Sequence, residues 1–315
     1  MNKTEIKRIL IPTDFSDTSL KAIDHAIFLA KLKNAEVTLL HVMDETSRQE
    51  NIAATPLNYA EYVGAVEMLA QRYSALEEKW EEHINTLMAH LVNKIRHEGV
   101  EEVNSIIETG DVYVVICEQA KKLNADIIVM GTHGVKGFRE FTVGSNTYSV
   151  VKHAECPVLS IQKKVPIVAF ANILVPFSDK PHSRESVDYA VSIAKDYGAT
   201  IHLLGIDTEK TEMHFDKIKK EANQIMEIAE KDGIKCTKTV MPASDITELI
   251  MKEAKMSNAD LIVLVSDMDK MKMSEYFTGP VIQQIVNHSP IPVISIKPQP
   301  KHYSPVANYP ERVTF

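Results

Sequence analysis

Residues 131–147 run Gly131-Thr-His133-Gly134-Val-Lys-Gly137-Phe-Arg-Glu-Phe-Thr-Val-Gly144-Ser145-Asn146-Thr147. They follow a short apolar run that ends at Met130, and such a run is typical of a buried parallel strand. The residues from Ser145 to His153 have the length and spacing of a helix. The glycines therefore lie where a strand ends, a loop turns over and a helix begins.

This glycine-rich segment has the features of a phosphate-binding loop. Backbone N–H groups at a helix start have no partner within the helix, and the helix dipole adds partial positive charge there. Glycine at 144 lets an anion approach the backbone closely, while Ser145 and Thr147 offer hydroxyl donors. The segment is not a P-loop, because no Gly-Lys-Ser/Thr sequence closes it. Glycines that serve only tight turns are the alternative, but three of them between a strand and a helix favour phosphate binding.

Other candidate residues follow the remaining predicted strands. Asp14 comes after the first strand and is placed to accept hydrogen bonds from a base or ribose, or to bind metal. Capping the next helix is an equally good interpretation. Val42 ends the second strand and is predicted either to line an adenine pocket or to be ordinary core. His133 lies in the loop, where contact with a phosphate competes with simple solvation.

Length and composition indicate a globular protein with two domains. The chain has 315 residues, of which 44% are hydrophobic and 25% charged. A formal net charge of −8 argues against a nucleic-acid-binding surface. Three widely spaced cysteines favour reduced thiols, and the sequence shows neither a signal peptide nor a membrane-spanning run. We therefore expect a cytoplasmic protein.

The chain contains an internal repeat, which indicates a tandem duplication. Residues 8–14 and 34–42 match residues 172–178 and 198–206 at an offset of 164. Residues 124–131 and 153–161 match residues 258–265 and 288–296 at offsets of 134 and 135. The change of offset assigns about 30 extra residues to the first copy, around residues 44–98. This insertion is predicted to become a long helix through Trp80, Ile84, Leu87 and Leu91. A lid, a partner-binding arm and an inert extended helix all remain open.

Each repeat alternates short β-branched runs with helical stretches, which predicts an α/β fold with a doubly wound parallel sheet. Ligands bind such sheets beyond the carboxyl ends of the strands, where the strand order reverses. The predicted strands lie near 7–13, 36–42, 103–108, 126–131, 157–162, 171–177, 199–206, 236–241, 260–265 and 292–297. Helices of the first repeat are predicted near 17–33, 60–98, 111–123 and 144–153.

The second copy departs from the glycine pattern. Val265 stands at the place of Gly131, Met268 at Gly134, Ser178 at Asp14 and Pro280 at Ser145, so that of the three glycines only Gly279 remains. Side chains replace the backbone approach to phosphate, and proline removes a helix-start N–H. We predict that the second copy binds no nucleotide and instead supplies an interface.

With these residues assembled, the chain resembles a tandem universal stress protein over roughly residues 5–163 and 170–297. The resemblance implies two five-stranded parallel sheets of order 3-2-1-4-5, Rossmann-like and similar to the adenine-nucleotide alpha hydrolases, with their fifth strands paired. It also implies ATP or another adenine nucleotide, often with magnesium or manganese on the phosphates. The implied binding residues are Pro12, Thr13, Asp14, Val42, Met130, Gly131, His133, Gly134, Gly144, Ser145, Asn146 and Thr147.

The leading hypothesis is a nucleotide-dependent regulator of the stress response that binds ATP in the first domain only. A slow ATPase or other adenine-nucleotide enzyme is the first alternative, and a structural interaction module without nucleotide is the second. We expect domains at 1–165 and 166–298 followed by a tail at 299–315. Expected partners are the other repeat, a second copy in a homodimer and protein partners that the sequence does not identify, but neither nucleic acid nor a membrane.

Overall fold

The computed structural model of the chain describes residues 5–44, 79–132, 145–162, 165–167, 169–178, 183–266 and 279–298. The first repeat contains β1 (Arg8–Pro12), α1 (Asp17–Lys33), β2 (Glu36–Met43), α2 (79–97), β3 (Val103–Thr109), α3 (Val112–Lys122), β4 (Ile127–Gly131), α4 (Ser145–His153) and β5 (Val158–Ile161). The second contains β6 (Asn172–Phe177), α5 (Ser183–Tyr197), β7 (Thr200–Asp207), α6 (Glu212–Lys231), β8 (Cys236–Pro242), α7 (Ile246–Met256), β9 (Leu261–Val265), α8 (Gly279–His288) and β10 (Val293–Ile296). All ten predicted strands are present, with bounds within one residue of the prediction.

The ten strands form one sheet of order β3-β2-β1-β4-β5-β10-β9-β6-β7-β8. Every neighbouring pair is parallel except β5 and β10, which are antiparallel. Each repeat thus has the order 3-2-1-4-5, and the fifth strands join the repeats, which confirms the predicted fold. At this seam Ser160 pairs with Val293, and its buried hydroxyl donates to the Val293 carbonyl at 3.1 Å.

The repeated triplet Asn-Ala-Asp has a structural explanation in both copies. Asn124 and Asn258 adopt left-handed backbone conformations, each with φ of 49°, and so end the preceding helical segment. Two residues later, Asp126 accepts hydrogen bonds from two backbone N–H groups at the start of β1, both at 2.9 Å. Asp260 accepts the corresponding bonds at the start of β6. The triplet therefore belongs to the fold and not to a binding site.

Helices cover both faces of the sheet, and α2 is one of the helices that pack on it. One apolar cluster joins α1, α2, α5 and α6 to the sheet, and a second joins α3, α4, α7 and α8 to the opposite face. Ile84, Met88 and Ile95 of α2 are each at most 2% exposed. The described part of the predicted 60–98 helix is thus a core helix, in the place that α6 has in the second repeat. The extra length of the first repeat falls within residues 44–78, which are outside the described residues except for Asp44.

Candidate functional site

The candidate site lies where the strand order of the first repeat reverses, between β1 and β4. Ile9 pairs with Ile127 and Leu10 with Ile128, and the same register brings Gly131 level with Thr13. One hydrogen bond extends the arrangement beyond the strands. The Thr13 N–H donates to the Leu40 carbonyl at 2.8 Å, so the end of β2 lies beside it. The structure therefore brings the carboxyl ends of three strands together at one edge of the sheet.

The first turn of α4 is bonded directly to this edge. The hydroxyl of Thr147, which is 3% exposed, donates to the Gly131 carbonyl at 2.9 Å. Ser145 is the first residue of α4, and Asn146 beside it is half-buried. The start of α4, with the unpaired N–H groups that every helix start carries, therefore faces the carboxyl end of β4. His133, Gly134 and Gly144 of the predicted site lie outside the described residues.

Asp14 supports the cap of α1 and does not form the cap itself. Ser16 is the N-cap residue, and its hydroxyl oxygen accepts from the Ser19 N–H at 3.3 Å. The Asp14 carboxylate accepts from the Ser16 hydroxyl at 2.6 Å and from the Ser16 N–H at 3.1 Å. The interpretation of Asp14 as the N-cap is therefore wrong, because Ser16 occupies that position. Asp14 instead holds Ser16 in place, and it remains a partly exposed carboxylate at the strand edge.

Packing by itself requires a glycine at position 131. A Cβ built on Gly131 would lie 2.7 Å from the carbonyl carbon of Thr18 and 2.9 Å from the nitrogen of Ser19. Both atoms are backbone of the first turn of α1, which cannot yield as a flexible side chain would. The glycine therefore lets α1 press against the end of β4, a reason that the loop pattern alone did not reveal.

Pro12, Val42 and Met130 complete the described part of the predicted site. Pro12 is buried at the end of β1, and Met130 is 6% exposed in the cluster beneath α3 and α4. Val42 is partly exposed and packs against the same cluster. Its position is compatible with both interpretations, an apolar wall for a ligand and ordinary core.

Sequence reasoning did not include His41 among the site residues. Its Nδ1 lies 2.8 Å from the carbonyl oxygen of Thr13, and its ring packs against Phe15 with centroids 4.7 Å apart. Phe15 itself has a φ of 61°, which is unusual for a bulky residue. A signal for His41 exists in the repeat, because the matching position of the second copy is Gly205.

At the matching edge of the second repeat, the described residues include a buried phenylalanine and a buried aspartate–histidine pair. Phe177 and Val265 occupy the places of Thr13 and Gly131, and Phe177 is 1% exposed. Asp207, at the end of β7, is 2% exposed and accepts from Nδ1 of buried His214 at 2.6 Å. Two backbone N–H groups, those of Glu209 and Lys210, also donate to the Asp207 carboxylate.

These contacts change the acidity of Asp207. Burial alone would raise its pKa, but the hydrogen bond from His214 and the two backbone N–H groups outweigh burial and lower the pKa of the carboxyl below its ordinary value. Asp207 is therefore ionised near neutral pH and holds the β7–α6 connection together. Among the described residues, no group of three or more His, Cys, Asp or Glu side chains could hold a metal ion.

Comparison with known proteins agrees with this architecture. The sequence model of the Universal stress protein family matches residues 5–162 and 169–297. The chain belongs to the universal stress protein family. Because the family model matches twice, the chain contains two tandem universal stress protein domains, as the internal repeat predicted.

Individual relatives match one repeat or the whole chain. Universal stress protein MJ0577 of Methanocaldococcus jannaschii is 34% identical over 159 residues, which cover 50% of this chain and 96% of the relative. Universal stress protein YxiE of Bacillus subtilis is 30% identical and covers 49% of this chain and 98% of its own. The crystal structure of a universal stress protein from Archaeoglobus fulgidus covers 95% of this chain and 100% of its own, with a TM-score of 0.70 and 20% identity. That structure shows the same fold over nearly the whole chain. Within the described residues, no helix is long and apolar enough to cross a membrane.

Proposed function

We propose that this universal stress protein is a nucleotide-dependent regulator of the stress response that binds ATP, or another adenine nucleotide, in its first repeat. One observation carries the proposal. At the switch point the small residues Thr13 and Gly131 lie level with each other, and the start of α4 is bonded to the same edge through Thr147. This is the location at which open α/β sheets bind nucleotides.

In this proposal the two ends of the nucleotide contact different elements. Asp14 accepts hydrogen bonds from the base or ribose, and Val42 lines the adenine. The phosphates lie at the start of α4, where N–H groups and the helix dipole favour anions. The loop residues Gly134 and Gly144 would bring further N–H groups to them, and magnesium or manganese would be held by the phosphates themselves.

The second repeat supports a single site in each chain. Phe177, a buried core residue, replaces the small polar Thr13, and Val265 replaces Gly131, so the matching strand ends carry apolar side chains. Pro280, in the place of Ser145, removes a helix-start N–H, and Val265 brings a side chain to the phosphate end, so phosphates there would lack hydrogen bonds. We propose that this repeat, from about residue 166 to 298, serves the pairing of the two domains. We also propose that the protein acts in the cytoplasm and that homodimers or other proteins respond to its nucleotide state.

Calorimetric titration of ATP with magnesium tests the proposal, with phosphate release followed in the same samples. We expect one site per chain, lost in Gly144→Val and kept in Gly279→Val, because Gly279 is the matching glycine of the second repeat. Loss of binding in both variants, or in neither, would contradict a site in the first repeat alone. Absence of heat with the unaltered protein would refute nucleotide binding and favour a structural tandem module. Steady phosphate release that Gly144→Val abolishes would favour the slow ATPase.

A further inference from the structure

We propose that His41 is a positioning residue of the nucleotide site, which holds the turn from Pro12 to Asp14 in the shape that receives the base and ribose. The inference rests on the proposed function, since it concerns the same site. His41 lies on β2. It acts through the backbone carbonyl of Thr13, which directly follows β1 and lies 28 positions earlier in the chain.

The hydrogen bond between His41 and Thr13 has a defined direction. A carbonyl oxygen only accepts, so the Nδ1 atom at 2.8 Å from the Thr13 oxygen carries the proton. The β1–β2 pairing ends at Pro12 and Leu40, and this carbonyl lies one residue beyond it. The histidine thus extends the contact between the two strands past the end of the regular ladder.

Residue Thr13, which precedes Asp14, is therefore fixed by contacts with several neighbouring residues. The Thr13 N–H donates to Leu40, and its carbonyl accepts from His41. The Thr13 hydroxyl lies 3.1 Å from that of Ser19 and accepts from the Phe15 N–H at 3.2 Å. Phe15, in its left-handed conformation, packs its ring on the imidazole at 4.7 Å. A strained backbone of this kind persists where its surroundings over-determine it, and His41 provides two of the contacts.

The second repeat provides an internal comparison. Gly205 replaces His41 there, and Phe177 replaces Thr13. A Cβ on Gly205 would lie 2.6 Å from Ile218 Cγ2 and 3.2 Å from the Phe177 ring, so even alanine would be crowded at that position. The two exchanges therefore belong together. Histidine accompanies a polar, hydrogen-bonded turn at Thr13 in the first repeat, whereas glycine accompanies the buried Phe177 in the second.

The test compares His41→Ala, His41→Asn and His41→Gln in the full-length chain. Asparagine places an amide N–H close to the position of Nδ1, whereas the longer glutamine side chain places it near Nε2. Calorimetry gives the dissociation constant of ATP with magnesium. Competition against bound ATP gives that of inorganic tripolyphosphate, which can occupy only the phosphate end of the site.

We expect His41→Ala and His41→Gln to weaken ATP binding about five- to tenfold, the effect of one neutral hydrogen bond. His41→Asn should stay within about twofold of the unaltered protein, and tripolyphosphate should bind all four proteins alike. Equal weakening of ATP and tripolyphosphate would indicate a general disturbance and overturn the inference. So would unchanged ATP binding in His41→Ala, or equal behaviour of the asparagine and glutamine variants. These results leave the proposed function standing, whereas an unaltered protein that binds no ATP refutes both.

Discussion

Acid should weaken the attachment of the linker between the repeats through His25 of α1. This side chain is 4% exposed, and its Nε2 is buried without a hydrogen-bond partner. The ring bonds to the backbone of Val165, a buried residue in the segment that links the two repeats. Burial, with a smaller contribution from Lys21, lowers the pKa of His25 from 6.5 to about 4, although its bond to Val165 and the Asp24 carboxylate oppose the change.

The sign and size of the effect follow from that lowered pKa. Above pH 6.5 the imidazole is neutral in both the folded and the unfolded chain, and His25 places no penalty on folding. Below pH 6.5 the unfolded chain takes up a proton that the folded chain refuses, so the free energy of unfolding falls until the pH reaches about 4. At about 1.4 kcal/mol for each pKa unit, the loss between pH 7.5 and pH 5 is about 2 kcal/mol.

Urea denaturation of wild type and His25→Asn at pH 7.5 and pH 5 measures this loss. Asparagine keeps a donor near Nδ1 for Val165 but does not titrate, so the variant should lose about 2 kcal/mol less than wild type on acidification. His90→Asn, at an exposed position of α2, is the matched control and should behave as wild type. Equal acid sensitivity in wild type and His25→Asn would refute the assignment of the penalty to His25.

Two further substitutions test packing at the strand ends. Gly131→Ala should lower the free energy of unfolding by about 1–3 kcal/mol, because the new methyl group meets the backbone of α1 at Thr18, and an unchanged urea midpoint would contradict that close approach. Asp207→Ala should cost about 2–3 kcal/mol at neutral pH by removing a buried, charged hydrogen-bond acceptor from His214. Because the pKa of Asp207 is lowered, its contribution is present above the ordinary carboxyl pKa and disappears as the pH falls through the lowered value, so wild type and Asp207→Ala should converge in strong acid.

Strands and topology could be predicted from the sequence because the signals that define them are local. The buried strands are continuous apolar runs, and the residues that end the helices lie at the positions where the runs begin. Asn34 and Asn124 both end helical segments with φ of 49°, directly before a buried alanine and a strand. The duplication then supplied each signal twice, so the two copies checked each other.

The parts that escaped prediction depend on contacts between distant segments. The change of offset between the repeats around residues 44–98 could not show which of these residues form a core helix and which are inserted. The buried side of α2 is defined only by the sheet on which it packs. The role of His41 depends on a hydrogen bond to a residue 28 positions away. The need for a glycine at position 131 comes from contact with α1, which lies more than a hundred residues earlier in the chain. A local sequence pattern gives no information on contacts between residues so far apart in the chain.

The antiparallel pairing of β5 with β10 explains how the two crevices could diverge within one chain. Since every other pair is parallel, the carboxyl ends of β1 and β4 lie at one edge of the sheet and those of β6 and β9 at the opposite edge. Each crevice is separated from the seam by the fifth strand of its own repeat. Phe177 therefore lies at the edge opposite Thr13, and β9 and β10 separate it from the seam, so a change at position 177 alters the second crevice without touching the seam or the first crevice.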